Sequence, residues 1–261
     1  MRRGINPPNG SVLAPLDFSG AESFAPFVGT TSVLGLNGEM VDVSDGLITA
    51  TGSSVELFDA WYRGSTFGLF GLPADRLAPG DLYQLFVSAQ PAGSIHSARG
   101  VMSYIHTLTN QTVSLGPIPP VPSVRTLSTT SPPRFEVTVG RQDAYRGTLL
   151  LVFTQGAAAG DRELRLYMTA DYLGGAPSSW DVSTPDLSAA GYDANLGLFA
   201  NVATGWSVMP TSATSLVAIL GEPYGGPTSF SFGVQTSGNT PLTANRSRVV
   251  KRMLRPWPLK F

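Results

Sequence analysis

The chain contains no cysteine. That removes disulfide frameworks, thiolate nucleophiles and cysteine-ligated zinc in one step. Histidine is nearly absent: His96 and His106 are the only two, so a Ser-His-Asp triad has just two places to find its base. His96 falls in an apparent loop and His106 in a weak strand, and each reads as a loop or core histidine. The sequence has no Gly-x-Ser-x-Gly elbow, and no His-Glu-x-x-His, Walker loop or dinucleotide fingerprint. Charge is sparse as well. Only 13% of residues are Asp, Glu, Lys or Arg, and the net charge is −1. No whole-molecule field therefore steers nucleic acid or acidic ligands toward the chain. No apolar run approaches the length of a membrane-spanning helix. Met1-Arg2-Arg3-Gly4 is charged but lacks the apolar stretch of a secretory signal.

What is abundant is glycine and proline, 29 and 21 of 261 residues. Both disfavour helix interiors. A hydrophobic fraction of 42% argues for a folded body rather than a disordered one. Strands joined by many turns are the expectation. Alternation begins at Val41 and Val43 and runs to Val55 and Leu57. Strands are then predicted within Phe58–Phe70, over Leu82–Ala89 and around Val101–Leu108. A proline-rich loop follows from Pro117 to Pro133. Phe135, Val137 and Val139 alternate with polar neighbours, as in a half-buried strand. Leu149-Leu150-Leu151-Val152-Phe153 is apolar without interruption, which predicts a strand covered on both faces. It opens a hairpin, 148–155 with 163–170. Weaker strands are predicted near 196–202, 206–209, 215–220 and 229–236. There is no convincing helix and no repeat of solenoid or propeller type. The fold class is all-β, and the long connections favour a jelly-roll β-sandwich. Residues 1–40, rich in Gly, Pro and Ser with isolated Phe18, Phe24 and Phe27, read as an extended N-terminal arm. The sandwich core is assigned to 41–177. Residues 178–261 are a C-terminal extension, expected to form a surface protrusion and a basic tail.

The stretch Trp61-Tyr62-Arg63-Gly64-Ser65 resembles the aromatic-Arg-Gly-Ser strand of picorna-like virus capsid proteins. In that family a second strand follows, similar to Leu82–Gly93, then a proline-rich crossing, then a Val-x-Val strand and a final hairpin. Phe135–Val139 and 148–170 stand in that order here. The sequence departs from the pattern by the inserted Tyr62 and by about 80 residues beyond the last expected strand. The resemblance implies a subunit that performs no chemistry and needs no cofactor or metal. It would tile an icosahedral shell with copies of itself and sister capsid proteins, in the virion and, during assembly, in the host cytoplasm. It also makes Trp61, Arg63, Gly64 and Ser65 a structural strand, with Trp61 buried and Arg63 anchoring it to a neighbouring loop or subunit.

Other constellations are less specific. Asp59, Glu136 and Asp171 could supply a glycosidase pair, which need not be close in sequence, but read as solvated or turn carboxylates. Asp42 and Asp45 stand at a strand start where a turn role is expected. A lectin-like β-sandwich is the alternative, with Trp180, Trp206 and Tyr224 as candidates to stack on sugar. The sharpest charge feature is at the C-terminus. After Glu222 no acid occurs, while Arg246, Arg248, Lys251, Arg252, Arg255 and Lys260 supply six cations. These read as a contact with genomic RNA or a neighbouring subunit. Pro256, Trp257, Pro258 and Phe261 favour a docked segment on a sister subunit.

Overall fold

The computed structural model describes residues 25–130, 132–156, 162–175, 177–187, 191, 193, 197–215 and 228–237. It is all-β. The strands are β1 (Phe27–Leu34), β2 (Met40–Ile48), β3 (Ser54–Tyr62), β4 (Thr66–Gly71), β5 (Leu82–Gln90), β6 (Ser97–Ile105) and β7 (Gln111–Ser114). They continue with β8 (Ser123–Ser128), β9 (Arg134–Gly140), β10 (Thr148–Gln155), β11 (Arg162–Thr169), β12 (Ser179–Ser183), β13 (Gly205–Thr211) and β14 (Thr228–Thr236). Two short 3-10 turns, Ala74–Arg76 and Asp143–Tyr145, interrupt the connections.

The strands form one eight-stranded sheet, in the order β11-β10-β13-β14-β6-β5-β2-β3, and two three-stranded sheets, β4-β1-β7 and β12-β9-β8. All described pairings are antiparallel except β1 with β7. The order is a duplication. β1 to β6 and β9 to β14 have the same connectivity: the first and fourth strands of each set pair in a small sheet, and the other four pair in the order third, second, fifth, sixth. The two sets meet where β6 pairs antiparallel with β14, so equivalent strands face each other about a local two-fold. A single jelly roll would instead place eight strands in two facing sheets.

Three cores follow from strand alternation. Val41, Val43 and Leu47 of β2 and Leu85 and Val87 of β5 face the sheet β4-β1-β7, meeting Val33, Phe67, Leu69 and Val113. Leu149, Leu151 and Phe153 of β10 face the sheet β12-β9-β8, meeting Phe135, Val137, Val139 and Trp180. The opposite face of the eight-stranded sheet carries the third cluster, including Leu82, Phe86, Met102, Leu150, Val152, Met209, Phe230, Phe232 and Val234. β10 is thus apolar on both faces, as its unbroken run predicts. β9 alternates as expected, with Glu136 outside and ion-paired to Arg125 on β8 at 2.6 Å. The Pro79-Gly80 turn is closed by Asp81, which accepts from the amides of Ala78 (2.8 Å) and Ala50 (3.1 Å).

Several expectations are corrected. The arm assigned to 1–40 includes β1, which pairs within its own chain and buries Val33; residues 1–24 lie outside the described residues. The extension assigned to 178–261 contributes β13 and β14 to the middle of the largest sheet, so this part is core and not a protrusion. The strand predicted near 196–202 is not one over its described part, 197–202, and most of 215–220 lies outside the described residues. The proline-rich loop contains β8.

Candidate functional site

β3 is the outermost strand of the eight-stranded sheet, and among the described residues no strand pairs with its outer edge. An open edge of this length is a template for another chain. The strand has nine residues, Ser-Val-Glu-Leu-Phe-Asp-Ala-Trp-Tyr, a β-rich sequence on its apolar positions. Its pairing with β2 slips between Asp45 and Gly46, a bulge that places both Leu57 and Phe58 against β2 within one step. Phe58 packs on Phe70 of β4 with ring centroids 5.1 Å apart. Leu57 packs on the core behind it. Trp61 pairs with Asp42 on the other face and is 47% exposed, and Val55 is also exposed. Arg63, Gly64 and Ser65 occupy the exposed turn into β4, whose Ser65 carbonyl accepts from the Val33 amide at 2.7 Å. The expectation that Trp61 is buried fails in the single chain. It sits at the end of an edge strand, on the face away from the adjoining small sheet.

Behind this edge lies a buried carboxylate. Asp45 is only 1% exposed, yet it points into the apolar core between β2 and β4. Its Oδ2 accepts from the Phe70 amide at 2.8 Å, so it ties the outer side of β4 to β2. Its Oδ1 has no hydrogen-bond partner among the described residues. Burial pushes its pKa up to about 6, opposed by the Phe70 amide. Tyr83, whose hydroxyl accepts from the Leu72 amide at 2.9 Å and donates to the Leu72 carbonyl at 3.1 Å, is also raised, mainly by burial. Because the folded-state value lies above the ordinary 3.8, the folded chain binds the extra proton. Stability from this group is present below about pH 4 and is lost as pH rises to about 6. Asp45→Asn keeps an oxygen for the Phe70 amide and removes the charge. It is expected to be more stable than the parent by about 2 kcal/mol at pH 7.5, after discount for partial screening, and equal to it at pH 4. Urea midpoints at the two pH values test this, and a gap that does not change with pH would refute it.

A second polar cluster pins the crossing between the two halves. Arg99, on the β6 face opposite the third core, grips Glu39 through Nε–Oε1 (3.0 Å) and Nη2–Oε2 (2.5 Å). It also donates to the carbonyls of Gly116 (2.5 Å) and Gly35 (2.7 Å). Tyr145 Oη donates to the Pro117 carbonyl (2.5 Å), and Gln235 Nε2 to that of Pro119 (2.5 Å). Burial drives the Tyr145 hydroxyl to a pKa of about 12. Proline-rich chain has few amides to offer, so side chains from β6, β14 and the 143–145 turn hold it by its carbonyls.

The other sequence candidates are scattered. Asp59 is exposed on β3, Glu136 lies on β9 and Asp171 is exposed after β11, so no pair forms. Asp42 and Asp45 project from opposite faces of β2 and share no site. They are strand residues, not the turn residues expected. Imidazole Nδ1 of His96 meets Thr236 Oγ1 at 3.3 Å, and that of His106 meets the Asp81 carbonyl at 3.2 Å. Among the described residues no group of three or more His, Asp or Glu is placed to hold a metal. Trp180 is buried in the core and cannot stack on a sugar, and Trp206 is half-buried; Tyr224 lies outside the described residues. Arg246, Arg248, Lys251, Arg252, Arg255 and Lys260 lie there too. Sequence reasoning missed the Arg99–Glu39 clamp, because its two charges are 60 residues apart and carry no motif. No protein-family model matches the chain, and no curated protein matches it.

Proposed function

We propose that the chain is a structural subunit of an icosahedral capsid of the picorna-like type, assembling with copies of itself and sister subunits around an RNA genome. The resemblance over Trp61–Ser65 and the strands that follow it supports this reading. The observation that carries it is the outer edge of β3, which no strand among the described residues pairs, with Val55 and Trp61 exposed along it. A neighbouring segment adding to that edge would gain main-chain hydrogen bonds and apolar cover together. Sparse charge suits a surface much of which faces other subunits. The function is then geometric: a rigid duplicated body sets the angle between neighbours, and edges and termini join them.

The test is the size of the native material. Negative-stain images and light scattering are expected to show closed shells. A species near 27.5 kDa under all conditions would reject the proposal. Within it, Val55→Lys places a charge on the open edge while leaving the cores untouched, and should leave urea stability within about 0.5 kcal/mol. Assembly is expected to fall sharply, since lysine on an edge strand opposes pairing. Unchanged particle yield would remove β3 from the contact.

A further inference from the structure

The connection from β1 to β2 carries an Asn-Gly pair, Asn37-Gly38. The chain has one other, Asn9-Gly10, which lies outside the described residues. Asparagine before glycine is chemically labile. The next backbone nitrogen can attack the side-chain carboxamide, and glycine puts no Cβ in the way. Here the pair is placed to react. Residues 35–39 stand between β1 and β2, outside the sheet ladders. Asn37 and Gly38 are both exposed. Gly38 has a φ of +75°, and a Cβ built there would meet nothing within 4 Å, so the chain around it is uncrowded. Among the described residues the Gly38 amide donates no hydrogen bond and the Asn37 carboxamide makes none.

The surroundings give the reaction a consequence. Arg99 Nη2 donates both to the Gly35 carbonyl (2.7 Å) and to Glu39 Oε2 (2.5 Å). The Asn37 amide donates to the same Oε2 at 3.3 Å. One buried guanidinium thus holds both ends of the segment Gly35–Glu39, and the labile bond lies between the two anchors. A change in the length of that segment acts directly on the ion pair.

We propose that Asn37 is a site of spontaneous deamidation whose isoaspartyl product loosens the Arg99–Glu39 clamp. The inference does not depend on the capsid reading. The Gly38 nitrogen loses its proton to solvent and attacks Asn37 Cγ. The new N–Cγ bond closes a five-membered succinimide, and the Cγ–Nδ2 bond breaks to release ammonia. Water then opens the ring. Hydrolysis of the bond from Cγ to the Gly38 nitrogen leaves a normal aspartyl linkage. Hydrolysis of the bond from the main-chain carbonyl carbon instead routes the chain through Cβ and Cγ, as isoaspartate. Water enters, ammonia leaves, and nothing is oxidised or reduced. Both products add a negative charge beside Glu39. Only the isoaspartyl one lengthens the backbone between the two groups that Arg99 holds.

Asp45-Gly46 is an internal contrast. It offers a similar ring closure, but β2 is paired on both sides there, and a Cβ at Gly46 would lie 3.0 Å from the Val55 carbonyl. A backbone held in two ladders cannot turn its nitrogen onto the side chain, so Asp45 is expected to stay unconverted.

The test holds the full chain, folded, at mildly alkaline pH. Peptide mass mapping follows amide-to-acid conversion, and methyl transfer by an isoaspartyl methyltransferase reports the isoaspartyl product. Asn110 is the reference, being exposed but followed by Gln111. Asn37 is expected to convert about tenfold or more faster than Asn110, because glycine follows it. A rate no greater than that of Asn110 in the folded chain overturns the site. The isoaspartyl fraction is then separated, and its hydrogen exchange is compared with that of fresh chain and of Asn37→Asp, which carries the charge on a backbone of normal length. Amides around Arg99 are expected to exchange about tenfold faster in the isoaspartyl fraction and at nearly the parent rate in Asn37→Asp. Parent-like exchange in the isoaspartyl fraction, or equal loosening in Asn37→Asp, overturns the link between the added backbone length and the clamp.

Discussion

Glu39→Ala is expected to cost about 3–5 kcal/mol of folding free energy. Both partners of this ion pair are buried, with side chains 3% and 6% exposed for Glu39 and Arg99. Removing the carboxylate leaves a guanidinium in the interior with, among the described residues, the carbonyls of Gly35 and Gly116 to solvate it. The cost is the uncompensated charge rather than the worth of the contact. The same argument predicts that Arg99→Met with Glu39→Leu is much milder, because neither charge is then left behind. The damage should also spread. Arg99 holds Gly116, and the chain from Gly116 to Pro119 crosses from one half of the duplication to the other. Hydrogen exchange should therefore rise around β6 and β14, where the halves meet. Urea denaturation of the two single variants and the double variant measures the free energies. A loss below about 1 kcal/mol for Glu39→Ala would mean that water reaches Arg99 and that the clamp is open.

Trp180→Ala is expected to cost about 3–5 kcal/mol, and Trp61→Ala less than about 1 kcal/mol, in the unassembled chain. Trp180 is 1% exposed and sits on β12 among Phe135, Val137, Val139 and Phe153, so truncation leaves a cavity that rigid strands cannot fill. Trp61 is 47% exposed at the end of an edge strand, and most of its truncation opens onto solvent. The two tryptophans thus exchange the roles that sequence reasoning assigns them. Thermal or urea unfolding of both variants decides the matter. Should β3 take up a neighbouring subunit as proposed, the order is expected to narrow in assembled particles, because such a contact would cover Trp61. Equal losses in the free chain would contradict the placement of Trp61.

Much of the local structure was legible. Phe135–Val139 was readable as a half-buried strand and Leu149–Phe153 as one covered on both sides, because side chains alternate with a period of two. Pro79-Gly80 was readable as a turn, because Gly80 takes a φ of +85° that few other residues accept. The partners were not legible. β13 and β14 are predicted as strands near 206–209 and 229–236 but fall in the assigned extension because they follow the last strand the resemblance expects, yet they pair with β10 and β6 across long loops. The duplication was invisible as well. Met40-Val-Asp-Val-Ser-Asp-Gly-Leu-Ile48 and Thr148-Leu-Leu-Leu-Val-Phe-Thr-Gln155 are equivalent strands that share alternation and little else.

Composition and period by themselves determined that this chain is all-β, that its strands are joined by Gly- and Pro-rich turns, and which of them are apolar on one face or two. These are local properties, fixed by backbone sterics and by the spacing of side chains along a strand. Only the tertiary structure decided that eight strands form one sheet, that two sets of six repeat about β6 and β14, that Trp180 rather than Trp61 is core, and that Arg99 meets Glu39. Each of these depends on residues far apart in sequence, and pairing of that kind is settled by the cooperative burial of whole faces, which no single segment encodes.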